Sequence, residues 1–115
     1  MVSVGIDLGG TKVKGALIRD DGKILCEHYE RLHGRGGTEV CDLIIQTVRK
    51  LSQEVAANEK LSGVGICIPG IAGPFRKTVW APNIPGWDEL PLVEILKKDA
   101  LLADLPVYAL SLIHI

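Results

Sequence analysis

The sequence has 115 residues, a formal net charge of −1 at pH 7 and 47% hydrophobic residues. This length allows at most one small domain, and the hydrophobic content is typical of a folded α/β protein, not a disordered one. The near-neutral charge gives no indication of non-specific nucleic-acid binding. No apolar run approaches the length of a membrane span, and the N-terminus lacks the pattern of a signal peptide. We therefore expect a cytoplasmic protein that binds neither nucleic acid nor membrane.

The first three predicted elements are strands over residues 2–8, 13–19 and 24–31, which form an antiparallel meander. A Gly-Gly pair separates the first two strands, and the Asp21-Gly22 pair marks a tight turn before the third. A helix follows, because apolar residues recur at helical spacing from Val40 to Val55. We expect this helix to begin at a Thr38 N-cap and to end near Asn58.

The second half of the chain begins with a continuous apolar run over residues 61–68, which predicts a buried strand parallel to the first. A short strand over residues 77–80, a helix over residues 92–98 and a strand starting at residue 105 complete the predicted order βββαβ(β)αβ. This order predicts an α/β fold in which helices pack on a mixed sheet. Ligands collect at the carboxyl ends of parallel strands, so the glycines after the first strand and Gly70 should lie near one cleft.

The Gly-Gly turn after the first strand is a candidate phosphate site. Asp7 precedes Gly9 and Gly10, and Thr11 and Lys12 follow them. One interpretation is a plain β-hairpin, since glycine adopts turn conformations without steric cost. The other is a nucleotide site in which the backbone N–H groups and Thr11 face an anion, Lys12 adds positive charge and Asp7 holds Mg²⁺. The P-loop and dinucleotide patterns are both absent, so the turn alone does not decide between them.

The three cysteines, Cys26, Cys41 and Cys67, are widely spaced and include no C-x-x-C pair. This spacing predicts reduced thiols and argues against a zinc cluster within the chain.

Four segments of the chain, in the same order, resemble the ROK (repressor, ORF, kinase) family of sugar kinases: DLGGTK, GVGICIPGIAG, VWAPNIPGWDELPLVEILKK and LPVYA. The resemblance extends over residues 2–109 and is closest to the glucokinase-like members. It implies the N-terminal half of the actin-like, ribonuclease H-like ATPase fold. Residues 1–109 would then form an incomplete N-terminal ATPase domain.

The resemblance also implies roles for individual residues. Gly9, Gly10, Thr11 and Lys12 match the family's phosphate motif and would bind ATP, while Asp7 would face Mg²⁺.

A second group of residues matches the family's sugar-binding positions. Gly70 and Asn83 would contact the sugar, and Trp87 would pack against the protein. Each has a structural alternative: Gly70 is needed only for its turn, or Asn83 bonds its own backbone.

Two departures from the family pattern concern the end of the sequence. The family places a general-base Asp just after the strand that corresponds to LPVYA, but residues 110–115, LSLIHI, contain neither Asp nor Asn. The zinc motif and the adenosine-binding half of the family are also missing, so zinc is expected only in that missing C-terminal part. LSLIHI matches the translation of a transposase recognition end used in preparing sequencing libraries. We therefore interpret residues 110–115 as a non-native, adapter-derived tail.

The expected function is that of an N-terminal fragment of an ATP-dependent hexose kinase, inactive by itself and homodimeric at full length. One alternative is the effector-binding domain of a ROK-type sugar-responsive transcriptional repressor. A strand that starts at Val2 leaves no room for a preceding helix-turn-helix, and the chain lacks a basic patch, so this alternative is disfavoured. A free-standing binding protein with the same half-fold is the third interpretation.

Overall fold

The computed structural model describes residues 1–70 and 78–111 and contains one mixed sheet with two helices. The sheet has five strands in the order β3-β2-β1-β4-β5. The elements are β1 (Val2–Leu8), β2 (Lys12–Arg19), β3 (Ile24–Arg31), α1 (Gly37–Ser52), β4 (Leu61–Ile68), α2 (Leu92–Leu96) and β5 (Val107–Ser111). The β1, β2 and β3 strands are antiparallel, whereas β4 runs parallel to both β1 and β5. The predicted mixed α/β sheet is therefore confirmed.

Both predicted ends of the first helix are wrong. α1 begins at Gly37 with Gly36 at its N-cap, and no side chain caps it, so Thr38 is not the N-cap. A tertiary contact replaces the side-chain cap, because the Pro85 carbonyl accepts the Gly37 N–H at 2.8 Å. The helix ends at Ser52, where i to i−3 hydrogen bonds tighten the chain into turns.

The later elements are shorter than predicted or displaced. In place of the strand over residues 77–80, Val79 makes one isolated antiparallel bridge with Leu90, and residue 77 lies outside the described residues. α2 ends at Leu96. β5 begins after Pro106, which lacks an N–H for a sheet ladder, and it continues to Ser111. The origin of residues 110–115 stays a prediction, and residues 112–115 are outside the described part of the chain.

The core lies between the sheet and α1. Alternate residues of β1 are buried on one face and join the buried side of α1 in a single hydrophobic cluster. β2 approaches the helix at Gly15, where an added Cβ would lie 2.5 Å from Thr47 Cγ2 and 2.8 Å from Leu51 Cδ1. A side chain at this position would therefore require the side chains of Thr47 and Leu51 to shift.

We expect Gly15→Ala to lower the free energy of unfolding by roughly 1–3 kcal/mol, because the new methyl group overpacks the contact with α1. Urea denaturation monitored by circular dichroism measures this change. Gly65→Ala is the matched control in β4, since a Cβ there would meet nothing within 4 Å. Equal stabilities of the two variants would contradict this packing of α1 on β2.

The face of the sheet opposite α1 is not covered by any described element. Its centre is a row of small residues, in which Gly5 pairs with Ala16 on one side and Gly65 on the other. Tyr108 and Leu110 are exposed on the same face. Neither helix in residues 1–70 and 78–111 has the length and apolar character needed to cross a membrane.

An ion pair joins α1 to the turn that follows α2. Arg49 Nη2 lies 2.6 Å from Asp99 Oδ1, and Asp99 Oδ2 accepts the Leu101 N–H at 3.0 Å. The hydrogen bond from Arg49 is the main cause that lowers the pKa of Asp99 below its ordinary 3.8. A lowered folded-state pKa stabilises the fold above the unfolded-state value, and this stabilisation is lost as the pH falls through the folded-state pKa.

We expect Asp99→Asn to reduce the free energy of unfolding at pH 7 by up to about 1 kcal/mol, because the pair is partly exposed. The difference from the unsubstituted chain should vanish at pH values below the folded-state pKa of Asp99. Urea denaturation at a series of pH values tests this. Asp104→Asn, which removes an exposed carboxylate from the same turn region, is the control for the change in net charge.

Candidate functional site

The turn between β1 and β2 is held by backbone hydrogen bonds on both sides. The Gly9 N–H donates to the Lys12 carbonyl at 2.9 Å, and the Thr11 carbonyl accepts the Leu32 N–H at 2.8 Å. The side chain of Thr11 and the backbone of Gly10 remain exposed at the carboxyl end of β1. The turn therefore presents a glycine backbone and an exposed hydroxyl to solvent, which suits an anion.

Asn83 lies directly against this turn. A Cβ on Gly10 would be 3.3 Å from Asn83 Cβ and 3.9 Å from the Asn83 carbonyl oxygen. The Asn83 side chain is exposed, and within the described residues its amide makes no hydrogen bond. The local turn therefore does not depend on that amide, which is available to a ligand beside the glycine turn.

The loop that carries Asn83, residues 81–87, is fixed by its own backbone and by a buried indole. The Ala81 N–H donates to the Trp87 carbonyl at 2.8 Å, and the Ile84 N–H donates to the Ala81 carbonyl at 3.1 Å. Ala81, Ile84 and Trp87 are buried. Three apolar anchors therefore leave Asn83 and the neighbouring prolines on the surface.

Gly70 is buried behind the same loop, in the turn that follows β4. A Cβ on Gly70 would overlap the Trp80 carbonyl oxygen and would lie 2.8 Å from Ala81 Cα. The backbone that leads into the Asn83 loop therefore passes over Gly70 at a distance that excludes any side chain. This contact gives a structural reason for a glycine at this position.

Asp7 and Lys12 face a different direction from the Gly10–Asn83 contact. Asp7 is exposed and pairs with Lys14 and Cys67, so it lies on the open face of the sheet. The Lys12 ammonium lies 5.8 Å from the centre of the Tyr29 ring, a cation–π distance. The structure thus brings Gly10, Asn83 and Gly70 to one edge, while Asp7 and Lys12 flank the turn on the uncovered face.

The donors available to a cation are few. Asp7 is a single exposed carboxylate, and no three His, Cys, Asp or Glu side chains of the described residues lie close enough together to hold a metal ion. Magnesium is commonly held by one or two carboxylates together with water and substrate phosphates, and Asp7 beside the turn fits this mode. Cys26, Cys41 and Cys67 are free, and burial raises the pKa of the Cys41 thiol to about 11.

The contact between Gly36 and the Asn83 loop was not predicted from the sequence. A Cβ on Gly36 would overlap the Pro85 carbonyl oxygen. The available signals were the Gly36-Gly37 pair just before α1 and Gly86 in the PGW segment. Neither signal indicates which distant segment the glycines contact.

A family model and individual relatives both place this chain in one family. The model of the ROK family matches residues 3–110. The chain is 35% identical to a glucokinase from Thermotoga maritima over 97 residues, which cover 83% of this chain and 29% of that protein. It is 31% identical to the xylose repressor of Bacillus subtilis (strain 168) over 97 residues, which cover 84% of this chain and 25% of the repressor.

The same similarity appears among solved structures. A ROK family glucokinase from Streptomyces griseus, solved in complex with glucose and AMPPNP, superposes with a TM-score of 0.80 at 27% identity. The superposition covers 96% of this chain and 33% of that one. This chain thus spans 25% and 29% of the two curated relatives. Its sheet has the actin-like ATPase fold of ROK sugar kinases, and the chain belongs to the ROK family.

Proposed function

We propose that this chain is the N-terminal part of an ATP-dependent, glucokinase-like hexose kinase. The observation that carries the proposal is the contact between Gly10 and Asn83. The turn with the chemistry for phosphate and the loop with a free amide for a sugar hydroxyl come from distant parts of the sequence and meet at one edge of the sheet. A kinase needs this juxtaposition, because phosphoryl transfer depends mainly on positioning of the donor and the acceptor.

Each residue has a distinct part in this proposal. The exposed backbone of Gly10 and the Thr11 hydroxyl bind ATP phosphate oxygens, and Lys12 adds positive charge nearby. Gly9 shapes this phosphate site, because its N–H donates to the Lys12 carbonyl and closes the turn. The Asn83 amide orients the hexose. Asp7 holds Mg²⁺, which neutralises charge on the phosphates when it is bound. Gly70 supports the Asn83 loop from behind and brings backbone close to the sugar.

The Asp that the family pattern places after the LPVYA strand has no counterpart among residues 110–115, which contain neither Asp nor Asn. We propose that residues 1–109 are the family domain and that residues 110–115 are the adapter-derived tail. The 115-residue chain should then show no glucose phosphorylation above a no-enzyme blank, since loss of a general base alone costs about 10²–10⁴ in rate. A coupled assay of ADP release measures this activity, and clear phosphorylation of glucose would contradict the prediction.

The decisive experiment begins with an adapter-free long read of the source DNA across the codon for Ala109. The polypeptide that this read encodes is then assayed with ATP and glucose. We expect activity, and we expect Thr11→Ala to lower kcat/KM for ATP while Thr38→Ala, an exposed threonine on α1, leaves it unchanged. Absence of kinase activity in that polypeptide would overturn the proposed function.

The second candidate is the effector-binding domain of a sugar-responsive repressor. Its support is the 31% identity to a xylose repressor, which is close to the 35% identity to a glucokinase. A repressor domain would bind its sugar without ATP and without phosphorylating it. Calorimetric titration with ATP separates the two candidates, because only the kinase should bind ATP and lose affinity for it in Thr11→Ala. Asn83→Ala should weaken sugar binding in both.

A further inference from the structure

The Asn83 loop is fastened to the start of α1 by two hydrogen bonds to one residue. The Gly37 N–H donates to the Pro85 carbonyl at 2.8 Å, and Trp87 Nε1 donates to the Gly37 carbonyl at 3.0 Å. Gly37 is the first helical residue, and its N–H has no partner within the helix. Trp87 is 0% exposed, and a buried indole N–H requires an acceptor. The Asn83 loop thus supplies an acceptor for the Gly37 N–H, and Gly37 supplies an acceptor for the Trp87 indole N–H. We call these two hydrogen bonds the Gly37 clasp.

Three glycines make the Gly37 clasp sterically possible. A Cβ on Gly36 would overlap the Pro85 carbonyl. Gly37 and Gly86 have φ angles of 52° and 78°, in the left-handed region that favours glycine. A Cβ on Gly86 would also lie 3.3 Å from the Gly37 nitrogen. Glycines in both segments, at the start of α1 and in the Asn83 loop, therefore permit the close approach.

The Gly37 clasp lies within a closed path of contacts around the candidate site. At one end of the path, the loop presses Asn83 against Gly10. At the other end, the Leu32 N–H donates to the Thr11 carbonyl, and the chain from Leu32 leads directly to Gly37. The glycine turn and the Asn83 loop are therefore connected twice, once by direct contact and once through the start of α1.

We propose that Trp87 is a positioning residue, whose bond in the Gly37 clasp holds Asn83 beside the glycine turn. Trp87 is fully buried, so it acts on a bound sugar only through Asn83. The effect of Trp87 on sugar affinity rests on the proposed function. The effect of Trp87 on the position of Asn83 does not, and it can be tested without a sugar.

The structural test uses NMR of the isotope-labelled 115-residue chain. Trp87→Phe removes the Nε1 donor and keeps an aromatic ring in the buried site. We expect it to abolish the Gly10–Asn83 nuclear Overhauser contact and to speed exchange of the Gly37 amide on the order of tenfold, while the Ile6 amide is unchanged. Trp80→Phe, at a tryptophan that is 41% exposed, should leave all three signals unchanged. Persistence of the Gly10–Asn83 contact in Trp87→Phe would overturn the proposal.

A second variant covers the case in which Trp87→Phe does not fold. Gly86→Ala strains the loop at a positive φ and crowds the Gly37 nitrogen, but it leaves the buried indole in place. We expect the same loss of the Gly10–Asn83 contact and the same faster exchange of the Gly37 amide. An intact contact in a folded Gly86→Ala chain would also overturn the proposal.

The functional test uses the polypeptide encoded by the long read. Trp87→Phe should raise KM for the hexose about tenfold and leave kcat nearly unchanged, and it should add nothing in an Asn83→Ala background. An unchanged KM would overturn the role of Trp87 in sugar affinity. If that polypeptide phosphorylates no sugar, the proposed function fails, and the NMR contact still decides the positioning.

Discussion

Gly70→Ala is expected to reduce the free energy of unfolding by roughly 3 kcal/mol, at the upper end of the range for overpacking. The new Cβ would overlap the Trp80 carbonyl oxygen and approach Ala81 Cα to 2.8 Å, and both obstacles are backbone atoms. A flexible side chain can rotate away from a new methyl group, but here a whole segment of chain must move. Since single domains are stable by only about 5–15 kcal/mol, the loss should be visible directly in urea denaturation.

The matched control for this prediction is Gly65→Ala, in the strand that leads to Gly70. A Cβ at Gly65 meets nothing within 4 Å, so this variant should be close to neutral. If Gly70→Ala were no more destabilising than Gly65→Ala, the close packing of the Trp80–Ala81 backbone on Gly70 would be wrong.

A stability loss at Gly70 also bears on its proposed contact with the sugar. The structural reason for the glycine is independent of any ligand, so glycine at this position is not in itself a sign of sugar binding. Sugar affinity of Gly70→Ala is therefore informative only if measured under conditions where the variant remains folded.

The strands could be predicted well from the sequence because their signals are local. β1, β3 and β4 have the predicted bounds, and each is set by alternation or by a continuous apolar run between turn residues. The parallel pairing of β1 with β4 also followed from the intervening helix. These features depend on residues that are close together in the sequence, so they can be predicted from it.

The start of α1 could not be predicted, because its cap comes from a residue almost fifty positions away: the Pro85 carbonyl, not the Thr38 side chain, meets the first helical N–H. The contacts of Gly15, Gly36 and Gly70 share this property. A glycine in a sequence indicates a position where the backbone can adopt unusual conformations or be approached closely. It does not indicate which distant segment makes the approach.

The candidate site was predictable only in part, for the same reason. The glycine turn and Asn83 were both identified from the sequence, yet their direct contact depends on the Gly37 clasp, which no local pattern indicates. Asp7 and Lys12 are neighbours of the turn in sequence, but strand alternation directs them to the open face.

Asn83→Ala is the substitution that tests the sugar half of the site most directly. In the polypeptide encoded by the long DNA read across the Ala109 codon, we expect kcat/KM for the hexose to fall about 10- to 100-fold. The reason is the loss of one or two hydrogen bonds to a sugar hydroxyl. The free energy of unfolding should change by less than about 0.5 kcal/mol, because the side chain is exposed and the described residues offer its amide no hydrogen bond.

Asn58→Ala supplies the control, since Asn58 is the other asparagine in the chain and is exposed in the turn after α1. It should alter neither the sugar kinetics nor the stability. The two readouts together separate the interpretations of Asn83. A large loss of stability with unchanged kinetics would make Asn83 a turn residue, whereas a kinetic loss at constant stability is expected only if its amide contacts the sugar.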